Sequence, residues 1–107
     1  MKIYDIHCSL ETEIQNNTIL IVQFGKASCR PCESIWQRLE KWQEHHPIEC
    51  LYLSVDDYPE IASQMGILSV PTIRVYVNGQ MTIQKSGYFS LDLIFEKIEK
   101  YIELLQK

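Results

Sequence analysis

The chain has 107 residues, 46% of them apolar, with only 4 glycines and 4 prolines, so a packed core is expected rather than disorder. A formal net charge of −4, with no block of like charge, argues against non-specific nucleic-acid binding, which needs a basic face. The longest apolar run, Ile19-Leu20-Ile21-Val22, is far short of the ~20 residues that cross a bilayer, and no apolar leader follows Met1-Lys2. The expectation is one cytoplasmic domain over residues 1–107, in a compartment that keeps thiols reduced.

"KIYDI" (Lys2 to Ile6) alternates weakly and reads as a short first strand. Ser9 to Asn17 reads as a helix, with Ser9 as N-cap and Glu11 and Glu13 at the positive end of its dipole. "TILIVQF" (Thr18 to Phe24) is a continuous apolar, β-branched run, the pattern of a strand covered on both faces. Next comes "KASCRPCES" (Lys26 to Ser34), with cysteines at 29 and 32. Beyond it, Ile35, Trp36, Leu39 and Trp42 recur at helical spacing, with Arg38, Glu40, Lys41 and Glu44 on the opposite side. Pro31 suits the first turn of that helix, and Pro47 requires it to have stopped.

"CLYLSV" (Cys50 to Val55) is a further apolar strand, and strand, helix and strand make a parallel βαβ unit with a right-handed crossover. "DYPEIASQMG" reads as a short helix with Asp57 as cap and Gly66 as stop. Thr72 to Val77 alternates, Asn78-Gly79 is a strong hairpin turn, and "QMTIQKS" returns antiparallel. Leu91, Ile94, Phe95, Ile98, Tyr101, Ile102 and Leu105 line one face of a last helix. The order β-α-β-α-β-α-β-β-α predicts a mixed α/β sheet with helices on both faces.

The cysteine pair carries the chemistry. Cys29 sits where a buried strand meets a helix start, so unpaired N–H groups and the positive dipole end favour its thiolate. Lys26 and Arg30 add positive charge nearby, and Glu33 opposes them. Cys32, one turn on, is placed to resolve a mixed disulfide by intramolecular attack. A zinc reading also exists, because Cys29, Cys32, His45 and Cys50 follow small-finger spacing. A helix between Cys32 and His45 opposes it, since thirteen steps at ~1.5 Å separate them by roughly 20 Å. A plain structural pair of thiols stays open beside the redox centre.

Cys8 and Cys50 read as packing residues, because a free cysteine behaves as a small apolar side chain. His45-His46 reads as a solvated helix end, and Trp36 and Trp42 as packing rather than a substrate site. His7 has no visible partner.

Taken together, "VQFGKASCRPC", "LYLSVDD", "MGILSVPTIRVYVNGQ" and "KSGY" resemble the thioredoxin family over nearly the whole chain. The resemblance implies the thioredoxin fold and a dithiol–disulfide cycle, with Cys29 attacking and a buried Cys32 resolving. It implies a cis Pro71 beside the pair; composition alone would read Pro71 as an ordinary loop proline. It further implies that the Val70 backbone and Gly87 flank a groove for an extended substrate segment.

Four positions depart from the family pattern. Ser28 replaces the usual aromatic residue, and Arg30, next to Pro31, replaces a glycine. Gln23 stands where the family has a buried Asp, and Tyr52 where it often has a Lys. Exchanging both partners avoids an orphaned buried charge. Gln23 cannot take up and return a proton, so a slower resolving step is expected.

The reading is therefore a monomeric protein-disulfide reductase that acts on disulfide-containing proteins, with no affinity for nucleic acid or membrane. It holds no cofactor itself. The resemblance implies electrons from NADPH through a flavin-dependent, thioredoxin-reductase-type partner. The competing readings are a binding module on the same fold whose pair no general reductase recycles, and an oxidase or isomerase.

Overall fold

The computed structural model describes residues 2–5 and 9–106. Five strands and four helices alternate as β1 (Lys2–Ile3), α1 (Leu10–Asn16), β2 (Ile19–Gly25), α2 (Arg30–Gln43), β3 (Glu49–Ser54), α3 (Pro59–Gln64), β4 (Thr72–Val77), β5 (Gln80–Ser86) and α4 (Leu91–Leu105). They form one mixed sheet in the order β1-β3-β2-β4-β5. β1, β3 and β2 run parallel, and β4 and β5 antiparallel to their neighbours.

The unbroken apolar run becomes the central strand. Every residue of β2 is buried, because helices cover both faces of the sheet. Ile19 and Ile21 point to the side of α2 and α4, with Cys50, Ile73, Val75, Leu39, Ile94 and Ile98. Leu20, Val22 and Phe24 point to the side of α1, with Leu10, Leu51 and Leu53. Each such aliphatic or aromatic side chain contributes about 1.5–3 kcal/mol on burial.

The local signals largely become the expected elements. Ser9 caps α1, its Oγ accepting from the Thr12 amide. Asn78 and Gly79 take φ of 52° and 81° and close the β4–β5 hairpin. Gly66 ends α3 at φ 76°, where a side chain would be strained, and the Ile67 and Gly66 amides satisfy the Ala62 and Ser63 carbonyls.

Three expectations are corrected. β1 stops at Ile3, although the Tyr4 amide still donates to the Tyr52 carbonyl at 2.7 Å; Ile6 lies outside the described residues. Tyr58, not Asp57, holds the N-cap position of α3, because Pro59 fills the first helical position and fixes the boundary one residue later. Leu105 ends the apolar face of α4 but is 42% exposed, beyond the edge of the sheet's core.

Candidate active site

β2 delivers the chain into a tight turn, in which the Cys29 amide donates to the Lys26 carbonyl at 3.1 Å. Cys29 is the N-cap of α2, with extended φ and ψ, and its Sγ accepts from the Cys32 amide at 3.2 Å. The sulfur thus takes the place that a Ser or Asp oxygen takes in ordinary caps, facing orphan amides at the positive end of a fourteen-residue helix. Pro31 lies in that first turn, where its missing N–H has no partner to lose. Cys29 and Cys32 form a disulfide with their Cα atoms 5.2 Å apart. Cys29 is half-buried and Cys32 is 1% exposed. α2 runs unbroken from Arg30 to Gln43, which keeps Cys32 and His45 at opposite ends of one rod.

Beneath the pair lies Gln23, wholly buried on the α2 face of β2. Its Nε2 donates to the Cys32 carbonyl at 2.7 Å, tying the first turn of α2 to the sheet. Its Oε1 is buried and has no hydrogen-bond partner among the described residues. Tyr52 is the register neighbour of Gln23 on β3. Its ring packs edge-on to Trp36, with centroids 5.0 Å apart. Its hydroxyl comes over Gly25: a Cβ on that glycine would stand 2.6 Å from the Tyr52 Oη and 3.1 Å from the Cys32 Cβ. Burial, then the charges of Asp56 and Asp57, push the Tyr52 phenol above its ordinary value, so it is neutral and protonated at physiological pH.

Two clefts flank the pair. One, of about 290 Å³, is lined by Ile3, Lys26, Ala27, Cys29, Cys32, Glu33, Trp36 and Tyr52. The other runs from Pro31, between the two cysteines in sequence, to Gly87, Tyr88 and Phe89 after β5. Gly87 has φ 73°, and its amide donates to the Pro71 carbonyl at 3.0 Å. The Val70–Pro71 bond is cis. Thr72 anchors this corner, its Oγ1 within 2.7 Å of the Ser69 carbonyl and 2.8 Å of the Ser86 Oγ. Tyr88 and Leu68 stand fully out in solvent. Ser28 and Arg30 are exposed, and Val70 is half-buried.

The remaining candidates fall away from the site. Cys50 is a free buried thiol in the core, and burial with the nearby Glu49 charge pushes it up to about 12. Cys8 and His7 lie outside the described residues. His46 is not the solvated helix end expected of it: its ring stacks on Trp42 at 4.0 Å and its Nε2 meets Glu99 of α4 at 3.2 Å. Gly25 is the site residue that sequence reasoning passed over; Trp36, read as packing, does pack on Tyr52 and also lines the cleft. A glycine ending a fully apolar strand just before the cysteines is the signal for Gly25, since it marks a close approach.

Comparisons with known proteins agree with this geometry. Residues 5–100 match the family described as Thioredoxin. The thioredoxin of Alicyclobacillus acidocaldarius is 34% identical over 75% of this chain and 78% of its own. That of Chlorobaculum thiosulfatiphilum is 29% identical over 88% and 90%. Among solved structures, Plasmodium falciparum thioredoxin superposes with a TM-score of 0.81 at 27% identity, over 94% of this chain and 99% of the other. A mutant thioredoxin of Halobacterium salinarum gives 0.82 at 22% identity, over 94% and 88%, a likeness of fold.

Proposed function

We propose a working cycle for this chain, which belongs to the thioredoxin family and is a thiol–disulfide oxidoreductase that reduces disulfides in proteins. The contrast between a half-exposed Cys29 at a helix start and a buried Cys32 carries the assignment of roles. The Cys29 thiolate attacks one sulfur of the substrate disulfide. A bond forms from Cys29 to that sulfur, and the other substrate sulfur leaves and takes up a proton. Cys32 then loses its proton, attacks the Cys29 sulfur and expels the second substrate thiol. The substrate gains two electrons and two protons, and the chain is left with the Cys29–Cys32 disulfide.

An extended substrate segment lies along the Val70 backbone, past Pro71 and Gly87, pairing as an added strand over a few residues. The turn at Gly87 supports this, because a side chain there would be strained and would crowd the segment. Arg30, Pro31, Gln23 and Tyr52 tune the pair, and Ser28 forms the rim. The dithiol is restored by a flavin-dependent reductase drawing on NADPH, in the cytoplasm, with the whole chain acting as one monomeric domain.

Reduction of insulin by dithiothreitol, followed by turbidity, tests the reading. The wild type accelerates it and Cys29→Ser does not. Equal rates for the two would leave a binding module in its place. Cys32→Ser is expected to hold substrates as mixed disulfides on Cys29, which mass spectrometry of the trapped species identifies.

A further inference from the structure

We infer that Tyr52 takes part in the second step, its hydroxyl donating a hydrogen bond to the Cys32 sulfur while it is a thiolate. The inference rests on the reading of Cys32 as the resolving thiol. The geometry runs through Gly25. A Cβ on Gly25 would lie 2.6 Å from the Tyr52 Oη and 3.1 Å from the Cys32 Cβ, so the phenol oxygen and the Cys32 Cβ border the same space, left open by a residue without a side chain. Trp36 holds the ring from the helix side, edge-on at 5.0 Å. Both Tyr52 and Cys32 line the same cleft.

The alternatives around Cys32 are fewer than the sequence suggested. Gln23 spends its donor on the Cys32 carbonyl, not on the sulfur. Its Oε1 is an acceptor and offers a thiolate nothing. Lys26 and Glu33 line the cleft as the other titratable groups, with opposite charges, while Asp56 and Asp57 act on Tyr52 itself. A neutral phenol is a donor at every pH at which the cycle runs, and burial keeps it so.

The proton count closes without Tyr52 changing its own state. The Cys32 proton leaves through the cleft to water and the Cys32–Cys29 bond forms. The bond from Cys29 to the substrate sulfur breaks, and the departing thiolate is protonated. Tyr52 lowers the free energy of the thiolate before attack. A hydrogen bond to a charged group is worth enough to change the rate by about tenfold or more.

The test is Tyr52→Phe, which keeps the ring against Trp36 and removes the hydroxyl. In a Cys29→Ser background the Cys32 thiolate is titrated by its ultraviolet absorbance. Loss of the hydroxyl is expected to raise its midpoint by about one pH unit or more. With both cysteines present, stopped-flow single turnover is expected to show unchanged attack by Cys29 and resolution slowed about tenfold. An unchanged midpoint, or an unchanged resolving step, overturns the inference while leaving the reductase reading intact. Loss of the first step would instead count against that reading. A second measurement needs no variant: the Tyr52 ring resonance should titrate higher in reduced protein than in oxidised, and equal titration in the two states also overturns it.

Discussion

Tyr52 and Gln23 stand side by side on β3 and β2, yet they approach different parts of Cys32. Gln23 holds the backbone carbonyl at 2.7 Å, and Tyr52 brings its hydroxyl over Gly25 toward the side chain. Both are neutral, so no buried charge needs a partner at the base of the helix. The carbonyl and the side-chain face of Cys32 are thus each approached by a neutral side chain.

Gly25 makes this division possible. Ala at this position would put a Cβ at 2.6 Å from the Tyr52 Oη and 3.1 Å from the Cys32 Cβ, so something must shift. Gly25→Ala is expected to cost about 1–3 kcal/mol, as overpacking of a well-filled site does. The nearest offending atom is the phenol oxygen, so Tyr52→Phe should relieve part of that cost. Urea unfolding of the two single variants and the double variant checks this. Strict additivity would mean the two residues do not share the space.

Gln23→Asp separates stability from catalysis. The change removes the donor to the Cys32 carbonyl and places a carboxylate in a fully buried site. Burial raises its folded pKa above the ordinary ~3.9, so the folded state holds the proton longer than the unfolded chain. Stability is then retained below about pH 4 and falls as pH rises through the folded pKa, reaching a loss of about 3–5 kcal/mol where the carboxylate is charged. The same carboxylate can accept the Cys32 proton, so the resolving step should accelerate. Unfolding at a series of pH values gives the first result and stopped-flow the second. An unchanged second step would show that proton uptake does not limit the cycle.

The sheet and the cysteine pair were legible because their signals are local. A run such as Ile19 to Phe24 admits one reading when it is covered on both faces, and Asn78-Gly79 closes a hairpin by backbone geometry alone. Gly25, the place of Trp36 in the cleft wall and the contacts of His46 were not legible. Each takes its meaning from a partner on another element: Gly25 from Tyr52, Trp36 from Tyr52, and His46 from Glu99. Spacing along the chain carries no record of such pairs. The cis state of Pro71 followed from the resemblance, not from composition, because isomer choice at an X-Pro bond is set by tertiary context.

Cys50 offers a pH test with no catalytic component. Its thiol is pushed up to about 12 from an ordinary 9.0, chiefly by burial. The folded state therefore keeps the proton where the unfolded chain loses it. The contribution is fully present below about pH 9 and is lost as pH rises toward 12. Cys50→Ala removes that part of the alkaline slope at the cost of a small cavity, about 1 kcal/mol. Unfolding free energies between neutral and alkaline pH for the two proteins measure the difference. In the native protein at neutral pH, Cys50 should resist alkylation until the chain unfolds.

The end of α2 gives the last prediction. Phe95, Trp42 and His46 form a continuous stack, with centroid separations of 4.7 and 4.0 Å and nearly parallel planes. His46 also reaches the Trp42 carbonyl through Nδ1 at 2.9 Å and Glu99 through Nε2 at 3.2 Å. The imidazole therefore ties the C-terminus of α2 to α4 by packing and by hydrogen bonds together. His46→Phe keeps the stack and loses the polar links, whereas His46→Ala loses both. The stacked contact contributes about 0.5–1.5 kcal/mol beyond its buried area, and the exposed Glu99 link about 0.2–1 kcal/mol. Ala is thus expected to lower the unfolding midpoint clearly more than Phe, and Glu99→Gln least of all. If Phe and Ala were equally destabilising, the polar links would be the dominant tie. Because α2 carries the cysteines at its other end, none of the three variants should alter the insulin-reduction rate at temperatures where they remain folded.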